Sequence, residues 1–174
     1  AEQLGTAHAV AQARAALDGF QGDAVILYGD TPFVRIDTLE AMREARERHA
    51  VVVLGFEAAD PGRYGRLVMA GEQLERIVEF KDASEAERAI TLCNSGVVCA
   101  DAVTLFQLID GVSNQNAAGE FYLTDIVEIA RQKGLSVGAV RCPEAETLGI
   151  NTRAELAAAE AALQARMRAE ALEN

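Results

Sequence analysis

Val25-Ile-Leu-Tyr-Gly-Asp-Thr-Pro32 is the segment around which the rest of this chain is arranged. An apolar run from Ala24 to Tyr28 is followed at once by a glycine, an aspartate and, two residues later, a proline. Runs of this length between turn-forming residues are typical of buried strands in a parallel sheet. Ligands of open α/β sheets bind just beyond the carboxyl ends of such strands. The segment therefore predicts an α/β fold with Asp30 at the ligand-binding edge of its sheet.

Asp30 itself has two interpretations. A single carboxylate at this place suits a hard cation such as Mg²⁺, which prefers one or two protein oxygens together with ligand phosphates. Gly29 would leave space for that ligand, since it carries no side chain. Alternatively, Asp30 only turns the chain, through an Asx turn ahead of Thr31-Pro32. From this segment alone both interpretations stay open.

The composition limits the class of protein. With 174 residues, half of them hydrophobic, the chain forms one domain or most of one. A formal net charge of -11 argues against coating nucleic acid or an anionic membrane by charge, although a nucleotide remains possible through metal and backbone amides. No apolar run has transmembrane length. Three cysteines without a Cys-x-x-Cys pair predict reduced, mostly buried thiols in a cytoplasmic protein.

The first half of the chain predicts a sheet with a ribbon across its end. Thr6 is placed to cap a helix to about Leu17. Asp37-Thr-Leu-Glu40 has capping-box spacing and predicts a helix to about Arg48. Together with a strand at Val51–Leu54 this makes a βαβ unit, which implies neighbouring parallel strands. Next, Leu67-Val-Met and Gln73–Phe80 flank a turn at Ala70-Gly-Glu72 and predict a β-ribbon.

The second half continues with alternating helices and strands. Leu92–Cys99 reads as a buried strand that Asn94 and Gly96 interrupt, which indicates either close ligand approach or a bulge. Glu79 and Lys81 share one face of the ribbon, where by themselves they would form a weak surface ion pair. The remaining predictions are a short helix at Ser84–Ala89, a helix capped by Asp101, a helix over Leu123–Ala130, a strand at Leu135–Val140, and a surface helix that a Thr152/Glu155 capping box opens.

Seven short motifs occur in order over nearly the whole chain. They are Glu2-Gln-Leu-Gly-Thr-Ala-His8, Leu27-Tyr-Gly-Asp-Thr-Pro32, Tyr64-Gly-Arg66, Ile77-Val-Glu-Phe-Lys-Asp82, Asn94-Ser-Gly96, Gly119-Glu-Phe-Tyr-Leu-Thr-Asp125 and Gly149-Ile-Asn-Thr-Arg153. Together they resemble the uridylyltransferase domain of the bacterial bifunctional N-acetylglucosamine-1-phosphate uridylyltransferase / glucosamine-1-phosphate acetyltransferase. The resemblance implies a Rossmann-like nucleotidyltransferase fold with a mostly parallel sheet. It also implies Mg²⁺-dependent transfer of UMP from UTP to N-acetylglucosamine 1-phosphate, giving UDP-N-acetylglucosamine and pyrophosphate for cell-wall precursor synthesis.

The resemblance also assigns site residues. It implies that Asp30 and Asn151 are the two protein ligands of the catalytic Mg²⁺. The nucleotide would contact a uracil-binding segment and a neighbouring wall, formed by Gln3, Gly5, Thr6, Tyr28 and Gly29. The sugar would be held by Gly65, Glu79, Asn94 and Thr124.

Two parts of that family have no counterpart in these motifs. One is a first strand with a glycine-rich loop, whose arginine and lysine grip the triphosphate. The other is a left-handed β-helix, which carries acetyl transfer and builds a homotrimer. We therefore expect a partial nucleotidyltransferase domain at 1–153 and a helix at 154–174 that leads toward an absent β-helix. Without the first strand, we expect apolar side chains in Val25–Leu27 to be exposed.

Other functions are compatible with the same motifs. The fold would equally serve another sugar-1-phosphate nucleotidyltransferase, because fold alone does not set the substrate. A non-catalytic sugar-nucleotide-binding chain is the second alternative, since the triphosphate-gripping loop is missing. A glycosyltransferase is disfavoured, because its site usually shows two aspartates one residue apart, whereas Tyr28-Gly29 precedes Asp30.

Overall fold

The helices and strands of the protein are taken from a computed structural model that describes residues 3–173. The helices are α1 (Thr6–Ala11), α2 (Ile36–Arg46), α3 (Glu85–Arg88), α4 (Ala102–Ile109), α5 (Asp125–Gln132) and α6 (Arg153–Glu173). The strands are β1 (Asp23–Ile26), β2 (Val51–Glu57), β3 (Arg66–Ala70), β4 (Gln73–Val78), β5 (Leu92–Asp101) and β6 (Val137–Cys142). Short 3₁₀ turns occupy Arg14–Leu17 and Glu144–Thr147.

The ten-residue strand β5 is the centre of the sheet. One of its edges pairs with β2, and its other edge pairs with β1 and, at Cys93, with β3. All three of these pairings are antiparallel. The sheet then continues through β3 to β4, the predicted ribbon, and through β2 to the parallel strand β6. The predicted α/β class is confirmed, and the sheet is mixed.

The prediction that β1 and β2 are neighbouring parallel strands is wrong in one respect, because they are parallel but not neighbours. β1 and β2 run in the same direction, but β5 lies between them and pairs with both. Among the strands at 3–173, β2 and β6 form the one parallel neighbouring pair, so the sheet is not mostly parallel in its pairings. An apolar run shows that a strand is buried, but it carries no information about which strand lies beside it.

The core lies on both faces of the sheet. Successive residues of β2 point to opposite sides, so Val51 and Val53 belong to one hydrophobic cluster and Val52 and Leu54 to the other. Helices α1, α4 and α5 cover the first cluster, and α2 covers the second with the fully buried Met42. Burial on both faces explains why β2 reads as a continuous apolar run.

β1 is the least covered of these strands. Val25 is 42% exposed and Leu27, just after the strand, is 49% exposed, as the resemblance predicts. Within the described residues, β5 is the strand with which β1 pairs. An edge of this kind keeps backbone N–H and C=O groups available for further pairing.

Two of the predicted helix caps are wrong. α1 begins at Thr6 itself and follows Gly5, while the Thr6 hydroxyl oxygen accepts a hydrogen bond from Leu123 N–H at 2.9 Å. α2 begins at Ile36, one residue before the predicted N-cap Asp37, and its N-cap is Arg35, whose backbone N–H donates to Glu146 at 3.0 Å. In both cases a residue at the start of the helix hydrogen-bonds with a distant part of the chain, which the local pattern does not show.

Other helix ends form as the sequence predicts. Asp101 accepts a hydrogen bond from Thr104 N–H at 2.9 Å and caps α4. Thr152 and Glu155 form their capping box, with N–H to oxygen distances of 2.8 and 3.1 Å. α6 then runs over the surface with no buried residue in Arg153–Glu173, as predicted.

The cysteines and the membrane prediction can also be compared with the structure. Cys93, Cys99 and Cys142 are buried free thiols, as predicted. Over residues 3–173, no helix has both the length and the apolarity that a bilayer crossing needs.

Candidate functional site

A cavity of about 670 Å³ opens where β1, β2 and β3 meet their connecting loops. It brings together side chains and backbone from seven separate parts of the chain. Eight of the predicted site residues line it: Thr6, Tyr28, Asp30, Gly65, Glu79, Asn94, Thr124 and Asn151. The antiparallel β5 begins at this end of the sheet, which is why Asn94 joins residues that follow β1 and β4.

The turn after β1 directs Asp30 toward the cavity. Thr31 closes this turn, with its N–H and its hydroxyl both donating to the Tyr28 carbonyl at 3.2 and 3.1 Å. Asx turns need the N–H of the second residue after the aspartate, and Pro32 has none. The Asx-turn interpretation of Asp30 is therefore wrong, and its carboxylate is left to the cavity.

Asn151 lies beside Asp30 because a backbone hydrogen bond connects the two segments. Ile150 N–H donates to the Asp30 carbonyl at 2.9 Å. Glu155 then accepts the N–H groups of Asn151 and Thr152 at 2.6 and 2.8 Å, and these bonds lower the pKa of Glu155. One carboxylate and one amide oxygen on a shared wall are a donor set that Mg²⁺ accepts when a ligand supplies phosphate oxygens. No group of three or more His, Cys, Asp or Glu suited to a metal occurs in residues 3–173.

Glu79 is a half-buried carboxylate on the opposite side. Its Oε1 accepts a hydrogen bond from the Thr124 hydroxyl at 3.2 Å. Burial raises the pKa of Glu79, the Thr124 bond opposes that rise, and Asp82 adds to it. A salt bridge to Lys81 is not among the ion pairs of the described chain, so the surface-pair interpretation fails.

Tyr28 is packed directly onto β5 at Gly96. The backbone of Gly96 has φ +87°, and a Cβ there would lie 2.1 Å from the Tyr28 ring. Burial raises the pKa of Tyr28, with Glu79 and Asp30 adding to the rise and a hydrogen bond to Thr6 opposing it. Tyr28 thereby links the start of α1 to the sheet.

The polar interruption of β5 is a bulge. Val53 lies opposite Val98, but Gly55, two residues on, lies opposite Asn94, so β5 carries the extra residues. The Asn94 side-chain oxygen accepts Gly96 N–H at 3.0 Å, and the Ser95 hydroxyl donates to the Leu54 carbonyl at 2.7 Å. Close approach of a ligand to Asn94 stays a prediction.

The other residues predicted to bind the nucleotide lie outside the first cavity. Gln3 and Gly5 line a second cavity of about 680 Å³, which shares Thr6 and Glu120 with the first. Gly5 has φ +111°, and a Cβ there would lie 2.5 Å from the Phe121 carbonyl oxygen, so only glycine fits. Gly29 lies between Tyr28 and Asp30 but lines neither cavity. Apart from Gly29, the predicted nucleotide set is thus divided between two adjoining cavities.

Several cavity residues were not predicted. The first cavity is also lined by Thr31, Arg63, Tyr64, Ser95, Gly96, Glu120, Tyr122, Thr147, Leu148, Gly149 and Glu155. Most of them flank a predicted residue within one motif, so the motifs themselves were the available signal. Arg63 is different in kind, because it is a cation in a loop.

Asp125 gives a pH-dependent prediction near this site. Burial, followed by repulsion from Glu128, Glu79 and Asp82, raises the pKa of Asp125 from 3.8 to about 6. Between pH about 4 and about 6, the Asp125 carboxyl therefore keeps its proton in the folded state and loses it in the unfolded state. The resulting stabilisation is complete below pH about 4 and is lost as the pH rises through about 6.

We expect Asp125→Asn to remove that pH dependence. At pH 7.5 it should raise the free energy of unfolding by about 1 kcal/mol, because removing the buried charge stabilises the folded state by more than the lost attraction between that charge and the α5 N-terminus costs. Urea unfolding at pH 4.5 and 7.5 measures it. Glu155→Gln is the control of opposite sign, because its lowered pKa stabilises above the unfolded pKa. If the Asp125→Asn variant keeps the pH dependence of the wild-type protein, that dependence does not come from Asp125.

Comparison with known proteins gives a matching family and several similar proteins. The sequence profile described as Nucleotidyl transferase matches residues 1–143. The bifunctional protein GlmU of Ruegeria sp. is 70% identical over 172 residues, which are 99% of this chain and 38% of that protein. GlmU of Cereibacter sphaeroides is 69% identical over 174 residues, or 100% of this chain and 38% of that protein. The chain thus spans 38% of the length of these relatives.

Solved structures share the fold at much lower identity. A nucleoside-diphosphate-sugar pyrophosphorylase from Vibrio cholerae has a TM-score of 0.68 and 17% identity, covering 90% of this chain and 65% of that one. A putative glucose-1-phosphate thymidylyltransferase from Bacillus anthracis has a TM-score of 0.66 and 19% identity, covering 92% and 61%.

Proposed function

The chain belongs to the nucleotidyl transferase family, and from that premise we propose that it carries the uridylyl-transfer site of a GlmU-like protein. The reaction proposed is transfer of UMP from UTP to N-acetylglucosamine 1-phosphate, with Mg²⁺, giving UDP-N-acetylglucosamine and pyrophosphate. The observation that carries the proposal is the single cavity that eight of the predicted site residues line. High identity to two GlmU proteins over nearly the whole chain supports the choice of base and sugar.

The proposed chemistry needs positioning more than proton transfer. The attacking group is a phosphate oxygen of the sugar phosphate, which is already anionic at neutral pH. The protein must therefore align two anions and offset their repulsion. Asp30 and Asn151 are the residues that would hold Mg²⁺, which would supply positive charge to offset the repulsion between the phosphates. Thr6 and Tyr28 would hold the nucleotide against the start of α1.

The opposite wall has the groups that a sugar needs. A carboxylate such as Glu79 accepts hydrogen bonds from hydroxyls, and the Asn94 amide can both donate and accept. Thr124 already donates to Glu79 and fixes its orientation. Gly65 is buried, and a Cβ there would lie 3.5 Å from both Glu79 carboxylate oxygens, so its backbone can approach a sugar bound beside them.

The proposed function is tested by product formation. UTP and N-acetylglucosamine 1-phosphate are incubated with MgCl₂ and either this chain or a chimera that joins it to the rest of a GlmU relative. We expect the chimera to form UDP-N-acetylglucosamine from UTP and not from other triphosphates. Calorimetry with UDP-N-acetylglucosamine measures binding separately from turnover. Binding without turnover in the chimera would favour the non-catalytic alternative, and turnover with another sugar phosphate would favour a different specificity.

Glu79 and Asn94 are predicted to act on the sugar. Glu79→Ala and Asn94→Ala should each raise KM for N-acetylglucosamine 1-phosphate about tenfold, because each loses hydrogen bonds to hydroxyls, while KM for UTP changes little. Steady-state kinetics of the chimera measures both constants. Glu57→Ala, which removes a carboxylate outside this cavity, is the control. The reverse pattern would show that the sugar and nucleotide subsites are exchanged.

We also propose that residues 154–174 lead toward a further domain. The exposure of α6 along its length and the greater length of the GlmU relatives support this. By its resemblance to the family described above, the whole protein would be a cytoplasmic homotrimer. Size-exclusion chromatography of the chimera and of this chain tests whether the trimer depends on the added part.

A further inference from the structure

The loop of residues 60–66, between β2 and β3, is held by hydrogen bonds to the backbone of Pro61, Gly62, Tyr64 and Gly65. The Asp60 carboxylate accepts Gly62 N–H, and Tyr64 N–H donates to the Pro61 carbonyl, each at 3.1 Å. At the far end, the Gly65 carbonyl accepts Asn94 N–H at 2.8 Å. The Tyr64 ring packs edge-on against Phe56, with 4.9 Å between centroids. The loop is therefore a fixed part of the cavity wall.

Arg66 secures this loop from the inside. It is a buried arginine, only 2% exposed, and its guanidinium donates to the carbonyls of Gly62 (3.1 Å), Tyr64 and Arg88 (3.3 Å). No carboxylate is among its contacts in the described chain. A buried cation without an ion-pair partner is costly, so its donors must be well used. Here they fix the two carbonyls that flank Arg63.

Arg63 has a fixed backbone and an unused side chain. Its two neighbours are tied by Arg66, while its own guanidinium is exposed and has no partner within residues 3–173. It lines the main cavity and also an adjoining cavity of about 310 Å³, which Glu79, Phe80 and Lys81 complete. The loop thus presents an unpaired cation at a defined place.

The charge of the main cavity makes this cation stand out. Four carboxylates line it, those of Asp30, Glu79, Glu120 and Glu155. Arg63 is the one lysine or arginine on the same wall in the part of the chain that the structure describes. A phosphorylated ligand would be repelled by these carboxylates, and an arginine fork is the side chain best suited to bind a phosphate.

We propose that Arg63 binds a phosphate group of the ligand in this cavity and that Arg66 is its positioning residue. The identity of the phosphorylated ligand rests on the proposed function, but the phosphate contact does not. Arg63 offers its donors without breaking an existing contact. Arg66 acts through the loop, since its own donors are spent on backbone carbonyls.

Calorimetry of the 174-residue chain with MgCl₂ tests the Arg63 contact. The probes are N-acetylglucosamine 1-phosphate, inorganic pyrophosphate and unphosphorylated N-acetylglucosamine. For Arg63→Gln we expect Kd for the phosphorylated probes to rise about tenfold, the loss of a charge-assisted hydrogen bond, and Kd for N-acetylglucosamine to stay unchanged. Arg43→Gln, an exposed arginine of α2, makes the same change of net charge and should change none of them.

Arg66→Lys tests the positioning role, because it keeps the charge and loses the fork. We expect it to raise Kd for the phosphorylated probes as Arg63→Gln does, and to speed amide hydrogen exchange in 62–65. The double variant should be no weaker than Arg63→Gln alone. If Arg66→Lys unfolds the chain, the Arg63 and Arg43 variants still decide the phosphate contact.

The outcomes separate this proposal from the proposed function. Arg63-dependent binding of pyrophosphate without binding of N-acetylglucosamine 1-phosphate supports Arg63 and removes the proposed sugar substrate. Equal losses for phosphorylated and unphosphorylated probes, no loss in Arg63→Gln, or a wild-type chain that binds neither phosphorylated probe at millimolar concentration each overturn the proposal.

Discussion

Asp30→Ala is expected to lower uridylyl transfer by about a thousandfold or more, because metal-held phosphates are stabilised by several kcal/mol. The carboxylate faces the cavity, since Thr31 and not Asp30 closes the turn after β1. Asn151, the second predicted ligand, would remain but carries no charge. Turnover of UTP and N-acetylglucosamine 1-phosphate in the chimera measures the effect, with Mn²⁺ binding as a second measurement that does not depend on activity.

The matched control is Asp37→Ala. Asp37 is an aspartate of α2 whose side chain is 80% exposed, and it does not line the cavity. Both variants should keep the wild-type circular dichroism spectrum and melting temperature. Near-normal turnover of Asp30→Ala in saturating Mg²⁺ would show that Asp30 is not the metal ligand.

Gly96→Ala is expected to destabilise the fold by about 3 kcal/mol, through two separate costs. At φ +87° an alanine is strained, and its Cβ would lie 2.1 Å from the Tyr28 ring. The ring must then leave its place on β5 and change its position in the cavity that it lines. Urea unfolding measures the free energy of unfolding. Calorimetry with a uridine nucleotide measures whether the displaced Tyr28 ring changes nucleotide binding.

A double-mutant cycle separates the two costs. Tyr28→Ala removes the ring, so the added cost of Gly96→Ala in that background should fall to the backbone strain alone, about 1–2 kcal/mol. Gly71→Ala is the control for strain, because it has φ +63° in the β3–β4 turn and nothing within 4 Å of its Cβ. Equal costs of Gly96→Ala with and without Tyr28 would mean that the ring does not confine this glycine.

The fold was predictable where the signal is local. The β3–β4 ribbon, the Asp101 cap and the Thr152/Glu155 capping box all depend on residues within a few positions of each other. The caps at Thr6 and Asp37 were misassigned because Leu123 and Glu146, more than a hundred residues away, bond to Thr6 and Arg35 at the two helix starts. The neighbours of β5 were missed for the same reason, since pairing is a property of distant segments.

The site was predictable through motifs and not through charge. Family motifs placed eight residues that the cavity collects, from Thr6 to Asn151. Arg63 was missed because an arginine in a glycine-containing loop has the same pattern as any solvated charge. Only the burial of Arg66 and the acidic wall around Asp30 and Glu79 distinguish it, and both are tertiary facts.

The three buried thiols allow the opening of the sheet to be timed residue by residue. Cys93 and Cys99 lie in β5, and Cys142 ends β6. Burial raises the pKa of Cys99 and of Cys142 to about 11, so the reactive thiolate is scarce at neutral pH. An alkylating reagent therefore reacts with these thiols chiefly when the strands separate and expose them. Its labelling rate reports the free energy of opening when reclosing is fast, and the opening rate when it is slow. Mass spectrometry of the order of labelling would therefore show whether β6 detaches from β2 before β5 does.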